Sequence, residues 1–159
     1  MTSPALPFIE CEQIHAGLAV SDIPAALDFY TKKLGFQQAF TWGEPPTFAG
    51  VNLGKIQMFL AKGTPTPSSE IGAVYFLVGD ADQLYEFHRS NGAEIAQAID
   101  DRPYGIRDYT VRDLYGYHLV LDITCLTRAR RSRLSESTCP YVWRNASRHS
   151  SKISPNTGA

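Results

Sequence analysis

Cysteine is scarce. Cys11, Cys125 and Cys139 stand far apart in 159 residues, and three scattered cysteines make neither a disulfide framework nor a zinc motif. Long apolar runs are missing as well. No stretch approaches the roughly 20 residues that span a bilayer, so no membrane partner is expected. The opening segment Met-Thr-Ser-Pro-Ala-Leu-Pro-Phe-Ile-Glu has no basic residue and no long apolar region, which argues against a secretory signal. Cytoplasmic residence is the expectation. Gly50 to Gly54 lacks the Gly-Lys-Ser/Thr ending of a phosphate loop, and no dinucleotide motif or nucleophile–base pair is evident.

Net charge is also small, at −1, but it conceals a split. Residues 1–127 hold eight Lys/Arg against fifteen Asp/Glu, a net of −7, while residues 128–159 hold seven against one, a net of +6. An acidic folded body with a basic extension fits that pattern. The length and the 43% hydrophobic fraction allow one domain with a sizeable core, placed at residues 1–127. The Arg- and Ser-rich segment 128–159 shows no periodicity, and mostly irregular structure is expected there, with a short helix at 126–135. Its two aromatics, Tyr141 and Trp143, belong to no nucleic-acid motif, and no nucleic-acid partner is expected.

What the chain does have is a repeat. Leu18 and Val20 alternate with His15, Gly17 and Ala19 as in a strand. Ser21 and Asp22 offer capping oxygens, and Pro24 suits a helix's first turn. Ile23, Ala26, Leu27, Tyr30 and Leu34 recur at helical spacing, and Gly35 closes the helix. Ala73 to Asp80 repeats the strand and cap, Leu84, Tyr85, Phe87 and His88 the helix, and Asn91-Gly92 its end. Asp22 to Asp80 is 58 residues and Gly35 to Gly92 is 57. A repeat of that length means two copies of one supersecondary unit.

Strands follow each helix. Gln37–Trp42 leads to a Gly43-Glu-Pro-Pro46 turn, then Phe48–Leu53 and Ile56–Leu60 form a hairpin about Gly54-Lys55. Gly63 to Ser69 reads as a linker. Glu94–Ala98 is a weak strand, residues 100–105 a loop, and Arg107–Arg112 with Tyr117–Asp122 a second hairpin about Asp113-Leu-Tyr-Gly116. The fold class is therefore α+β, with two β-α-β-β-β modules at about 13–62 and 72–123.

The pattern His15-x-x-Leu18-x-Val20-x-Asp22, with Phe29-Tyr30 and Leu34-Gly35-Phe36, resembles the vicinal oxygen chelate superfamily of glyoxalases, fosfomycin- and bleomycin-resistance proteins and extradiol dioxygenases. Arg102-Pro-Tyr-Gly-Ile-Arg-Asp-Tyr-Thr-Val-Arg-Asp113 with Gly116 is similar to a second-half segment of that group, departing from it at Leu114 and Tyr115. The resemblance spans residues 13–123. It implies two curled half-sheets around a cleft and, usually, a homodimer. It also implies, for the enzymes, a divalent metal held by His, Glu or Gln of the modules' first and last strands. His15 matches the first-strand ligand, Gln57 or Phe59 falls on the fourth strand, Ala73 or Val74 is the second module's counterpart, and Val120 stands where a carboxylate is needed. Alanine and valine cannot ligate, so no metal and no cofactor are expected, and His15 reads as a hydrogen-bonded or pocket-lining residue. His88 falls on the helix, and His118 would have to share the face of Val120.

The remaining cleft candidates are aromatic. His15, Trp42, Phe48, Gln57, Phe59, Tyr75, Tyr104, Arg107, Tyr109 and Tyr117 are the expected ligand-binding residues. For any single ring, a packed core is the plainer reading, and for Arg107 a structural hydrogen bond to a loop. Together, rings with polar tips beside loops suit a flat or amphipathic small molecule. The acidic body favours a cation. A bleomycin-resistance-like binder that sequesters an antibiotic is the expectation; a metal-dependent lyase, transferase or dioxygenase of the same superfamily is the alternative.

Overall fold

The computed structural model describes residues 13–68, 72–103 and 105–124. Two modules of the same order follow one another. The first comprises β1 (Ala16–Val20), α1 (Ile23–Lys32), β2 (Gln37–Trp42), β3 (Phe48–Leu53) and β4 (Ile56–Lys62). The second comprises β5 (Val74–Leu77), α2 (Ala81–Ser90), β6 (Glu94–Asp101), β7 (Ile106–Arg112) and β8 (His118–Thr124). Each makes a four-stranded mixed sheet, in the orders β1-β4-β3-β2 and β5-β8-β7-β6. In both, the first strand pairs parallel with the last, and the other pairs are antiparallel. The α+β class and the doubled β-α-β-β-β order read from the sequence are the observed ones.

The caps explain where the helices start. Asp22 Oδ1 accepts from the Ala25 N–H at 2.7 Å and Asp80 Oδ1 from the Gln83 N–H at 3.0 Å, each satisfying a first-turn donor. Ile23, Ala26 and Tyr30 form the buried stripe of α1. Gly35 follows with φ +75°, and a Cβ there would lie 2.9 Å from the Phe87 ring, so both backbone and space demand glycine.

The core lies between sheets and helices. Leu18, Val20, Val51, Met58 and Leu60 from one sheet, and Phe76, Tyr109, Val111, Leu119 and Leu121 from the other, are buried in it. The modules join on this side. Tyr30 O–H donates to Asp113 at 2.8 Å, His88 Nε2 meets the Leu34 carbonyl at 3.1 Å, and Phe36 packs edge-on to Phe76.

Several strand ends differ from the sequence reading by one or two residues, β4 ending at Lys62, β7 starting at Ile106 and β8 running from His118 to Thr124, and β6 differs most. β6 runs to Asp101, not Ala98, because Asp100 and Asp101 still pair with Asp108 and Arg107. The loop expected from residue 100 thus begins at Arg102. The helix expected at 126–135 and the tail 128–159 lie outside the described residues.

Candidate functional site

Alternation along the strands decides what the helix-free faces carry. On the first sheet, Leu18, Met58, Leu60 and Val51 point to the core, so their neighbours point away from it. Four rings gather on that open face. The His15–Phe59 centroids are 4.8 Å apart, Phe48–Phe59 5.3 Å, Phe40–Phe48 5.9 Å and Phe40–Phe59 6.1 Å. All are tilted rather than stacked, within the range of favourable ring contacts. Gly50 makes room for Phe40: a Cβ there would lie 2.4 Å from the ring. Trp42, paired with Phe48, stands 74% exposed beside the cluster. At the other end, Gln57 donates its amide N–H to Asn52 at 3.1 Å, and His15 Nδ1–H can donate to the Gln57 carbonyl at 3.3 Å.

The open face of the second sheet has another character. Tyr75 is 61% exposed and pairs in register with Val120. Asp108 and Asp122 sit opposite each other on β7 and β8. Arg102 holds Asp108 through Nε at 2.8 Å and Nη2 at 2.7 Å. Burial raises the Asp122 carboxyl above the usual range, and the neighbouring Asp108 charge raises it further. With Asp100 opposite Asp108 and Glu94 opposite Arg112, this face carries four acids, two arginines and an exposed tyrosine and is acidic on balance, while its middle, Asp108, Thr110 and Val120, is buried.

The structure brings His15, Trp42, Phe48, Gln57 and Phe59 together on one face and sets Tyr75 on the other. It does not bring the rest of the expected set to either. Tyr109 faces α2 and is wholly buried, its O–H donating to His88 Nδ1 at 2.9 Å. Burial keeps that phenol well above its ordinary pKa. Arg107 shares the helix side and is held by Asp82 of α2 at 2.7 Å and Asp101 of β6 at 3.4 Å, partners on a helix and a strand rather than the expected loop. Tyr117 is buried at the junction of the modules, its hydroxyl donating to the Ala19 carbonyl and accepting from the Thr66 N–H, both at 3.0 Å. Tyr104 lies outside the described residues.

Metal ligation fits these positions poorly. His15 is the one imidazole of the first face, Gln57 is engaged with Asn52, and Ala73 and Val120 carry no donor atom. His118 does share the face of Val120, but it lies within 3.4 Å of Arg112 Nε, a cation that disfavours a second one. Among the described residues no three His, Cys, Asp or Glu side chains converge. A catalytic divalent metal needs three or more such donors.

Phe40, Asn52, Asp108 and Asp122 were missed by sequence reasoning. Period-two counting would have found Phe40 two residues from Trp42, and Asp122 two from Val120. Asp108 was the harder case, because it sits between Arg107 and Tyr109, both of which face the helix.

The family model for the Glyoxalase/Bleomycin resistance protein/Dioxygenase superfamily matches residues 13–121. The crystal structure of TioX from Micromonospora sp. ML1 is similar at 26% identity and TM-score 0.59, over 70% of this chain and 95% of that one. A member of the superfamily from Sphaerobacter thermophilus matches at 25% identity and TM-score 0.59, over 71% and 98%. A bleomycin-binding protein from bleomycin-producing Streptomyces verticillus, complexed with copper(II)-bleomycin, shares the fold at 23% identity and TM-score 0.57, over 74% and 98%. No curated protein matches the sequence. No described helix is long and apolar enough to cross a membrane.

Proposed function

Because the chain belongs to the glyoxalase/bleomycin resistance protein/dioxygenase superfamily, we propose that it is a stoichiometric binding protein for a small, flat, aromatic or cationic molecule. The observation that carries this is the ring-lined open face, where His15, Phe40, Phe48 and Phe59 touch one another and Trp42 stands exposed at the edge. Rings in that setting bury an aromatic ligand without leaving polar atoms unpaired. A ligand cation gains further from ring faces and from an acidic wall. The second sheet carries such a wall in Asp100, exposed on β6, with Asp122 and Tyr75.

A homodimer completes the site in this proposal. Both open faces lie opposite the core that joins the modules, so a second copy can set its acidic face against the rings of the first. Sequestration of an antibiotic or similar compound, without a metal, is then the role. His15, standing where the enzymes of the superfamily place a ligand, is the observation that favours the rival, a metal-dependent lyase, transferase or dioxygenase.

Thermal-shift screening of the full chain against cationic aromatic antibiotics, bleomycin first, tests the proposal. A compound that raises the melting temperature of the unmodified protein but not of Phe59→Ala or Trp42→Ala supports it. Stabilisation that survives both substitutions moves the site elsewhere and defeats it.

A further inference from the structure

The modules meet along two seams that the repeat makes equivalent, and the two are filled differently. In the first, the turn between β7 and β8 packs on the junction of β1 and α1. Tyr117 O–H donates to the Ala19 carbonyl at 3.0 Å and Tyr115 O–H to the Asp22 carbonyl at 2.6 Å. Two phenols therefore close that seam. In the second, the corresponding turn is Gly54-Lys55, facing the junction of β5 and α2. The caps fix the correspondence: Asp22 matches Asp80, and Ala19 matches Leu77 three residues before it. Leu53 pairs with Ile56 across its turn as Asp113 bonds to Tyr117 across the other. The shorter turn lacks one residue and carries no ring.

A crevice of about 710 Å³ remains in its place, lined by Ile56, Leu77, Asp80, Leu84 and Phe87 among others. Ile56, Leu77 and Phe87 are 38%, 60% and 42% exposed, a group of apolar side chains left uncovered along one seam. The polar groups match too. Val20 and Val78 turn their peptides inward, with the Val20 carbonyl accepting from Gly63 and the Val78 N–H donating to Asp122. The carbonyl one residue earlier, on Ala19 or Leu77, therefore lies on the outer edge of an edge strand. Ala19 receives a tyrosine hydroxyl there; the Gly54-Lys55 turn supplies none to Leu77.

We propose that this crevice is a second binding site, for a small phenol, which occupies the place that Tyr115 and Tyr117 fill in the other seam. The ring packs on Phe87, Leu77 and Ile56, and the hydroxyl donates to the carbonyl of Leu77 or Asp80. The site is separate from the ring-lined face, so it stands or falls independently of that proposal.

Titration of the isotope-labelled full chain with p-cresol, the tyrosine side chain as a free molecule, and with toluene tests it by amide NMR shifts. Saturable shifts should centre on Lys55, Leu77 to Asp80, Gln83 and Phe87. The phenol should bind about fivefold more tightly than toluene, the ratio one net hydrogen bond supplies. Ile56→Tyr, which places the chain's own phenol where Tyr117 stands in the other seam, should abolish p-cresol binding; Leu77→Glu, at an exposed position, serves if that variant does not fold. Shifts centred on Trp42 and Phe59, equal affinity for toluene, no saturation, or undiminished binding by a folded variant would each overturn the proposal.

Discussion

Asp113 carries more of the fold than its place in a turn suggests. It is buried, accepts the Tyr30 hydroxyl at 2.8 Å and takes the N–H groups of Tyr115 and Tyr117, both at 2.8 Å. Burial raises its carboxyl above the usual range, while these donors pull it back. Asp113→Ala strands a buried phenol and two turn amides, and should cost about 2–4 kcal/mol, against about 1 kcal/mol for Tyr30→Phe, which leaves the carboxylate its backbone donors. Urea denaturation of both variants checks the order. His88 gives a pH dependence instead. Burial lowers its pKa below 6.5, with the Leu34 carbonyl opposing. The unfolded chain then takes up a proton that the folded chain resists, so this contribution to stability is intact above about pH 6.5 and is lost as pH falls below it. Melting temperatures at pH 7.5 and 5.5 should show the drop, and His88→Gln should flatten it. Asp22, Asp80 and Gly35 could be assigned from sequence because caps and positive-φ positions are set locally. The roles of His88 and Asp113 could not, since their partners Leu34 and Tyr30 lie 54 and 83 residues away.

Among the elements, β3 shapes the site by what it omits as well as by the Phe48 and Asn52 it supplies. Gly50 leaves the space that Phe40 fills from β2, and the pairing slips between Gln38 and Phe40, where a bulge re-aims the strand. Gly50→Ala should displace the Phe40 ring, cost about 1–3 kcal/mol by overpacking and weaken ligand binding on that face more than at the seam. Thermal melts and ligand titration together check it. The strands themselves were legible, because alternation and turn residues mark them. The length of β6 was not, since its last two pairs depend on Asp108 and Arg107 across the sheet. The same limit governed the site. Counting aromatics collected Tyr109 and Tyr117 with Trp42 and Phe59, and only the strand register separates rings facing a helix or a seam from rings facing outward.

For the whole molecule, the repeat explains both likeness and difference between the halves. One doubled unit produced an aromatic open face on the first sheet and, on the second, an acidic one whose middle, Asp108, Thr110 and Val120, is buried. A dimer that sets one on the other should form at tens of micromolar, and sedimentation velocity showing only monomer there would contradict it. Metal-free stoichiometric binding is tested most directly by calorimetry of the first compound found by thermal shift. The titration is run on the full chain once with EDTA and once with zinc. The expected result is one ligand per ring-lined face with equal affinity in both, the compound recovered unchanged. Binding or conversion that requires zinc and is lost in His15→Ala would contradict it and place the chain among the metal-dependent enzymes of its superfamily.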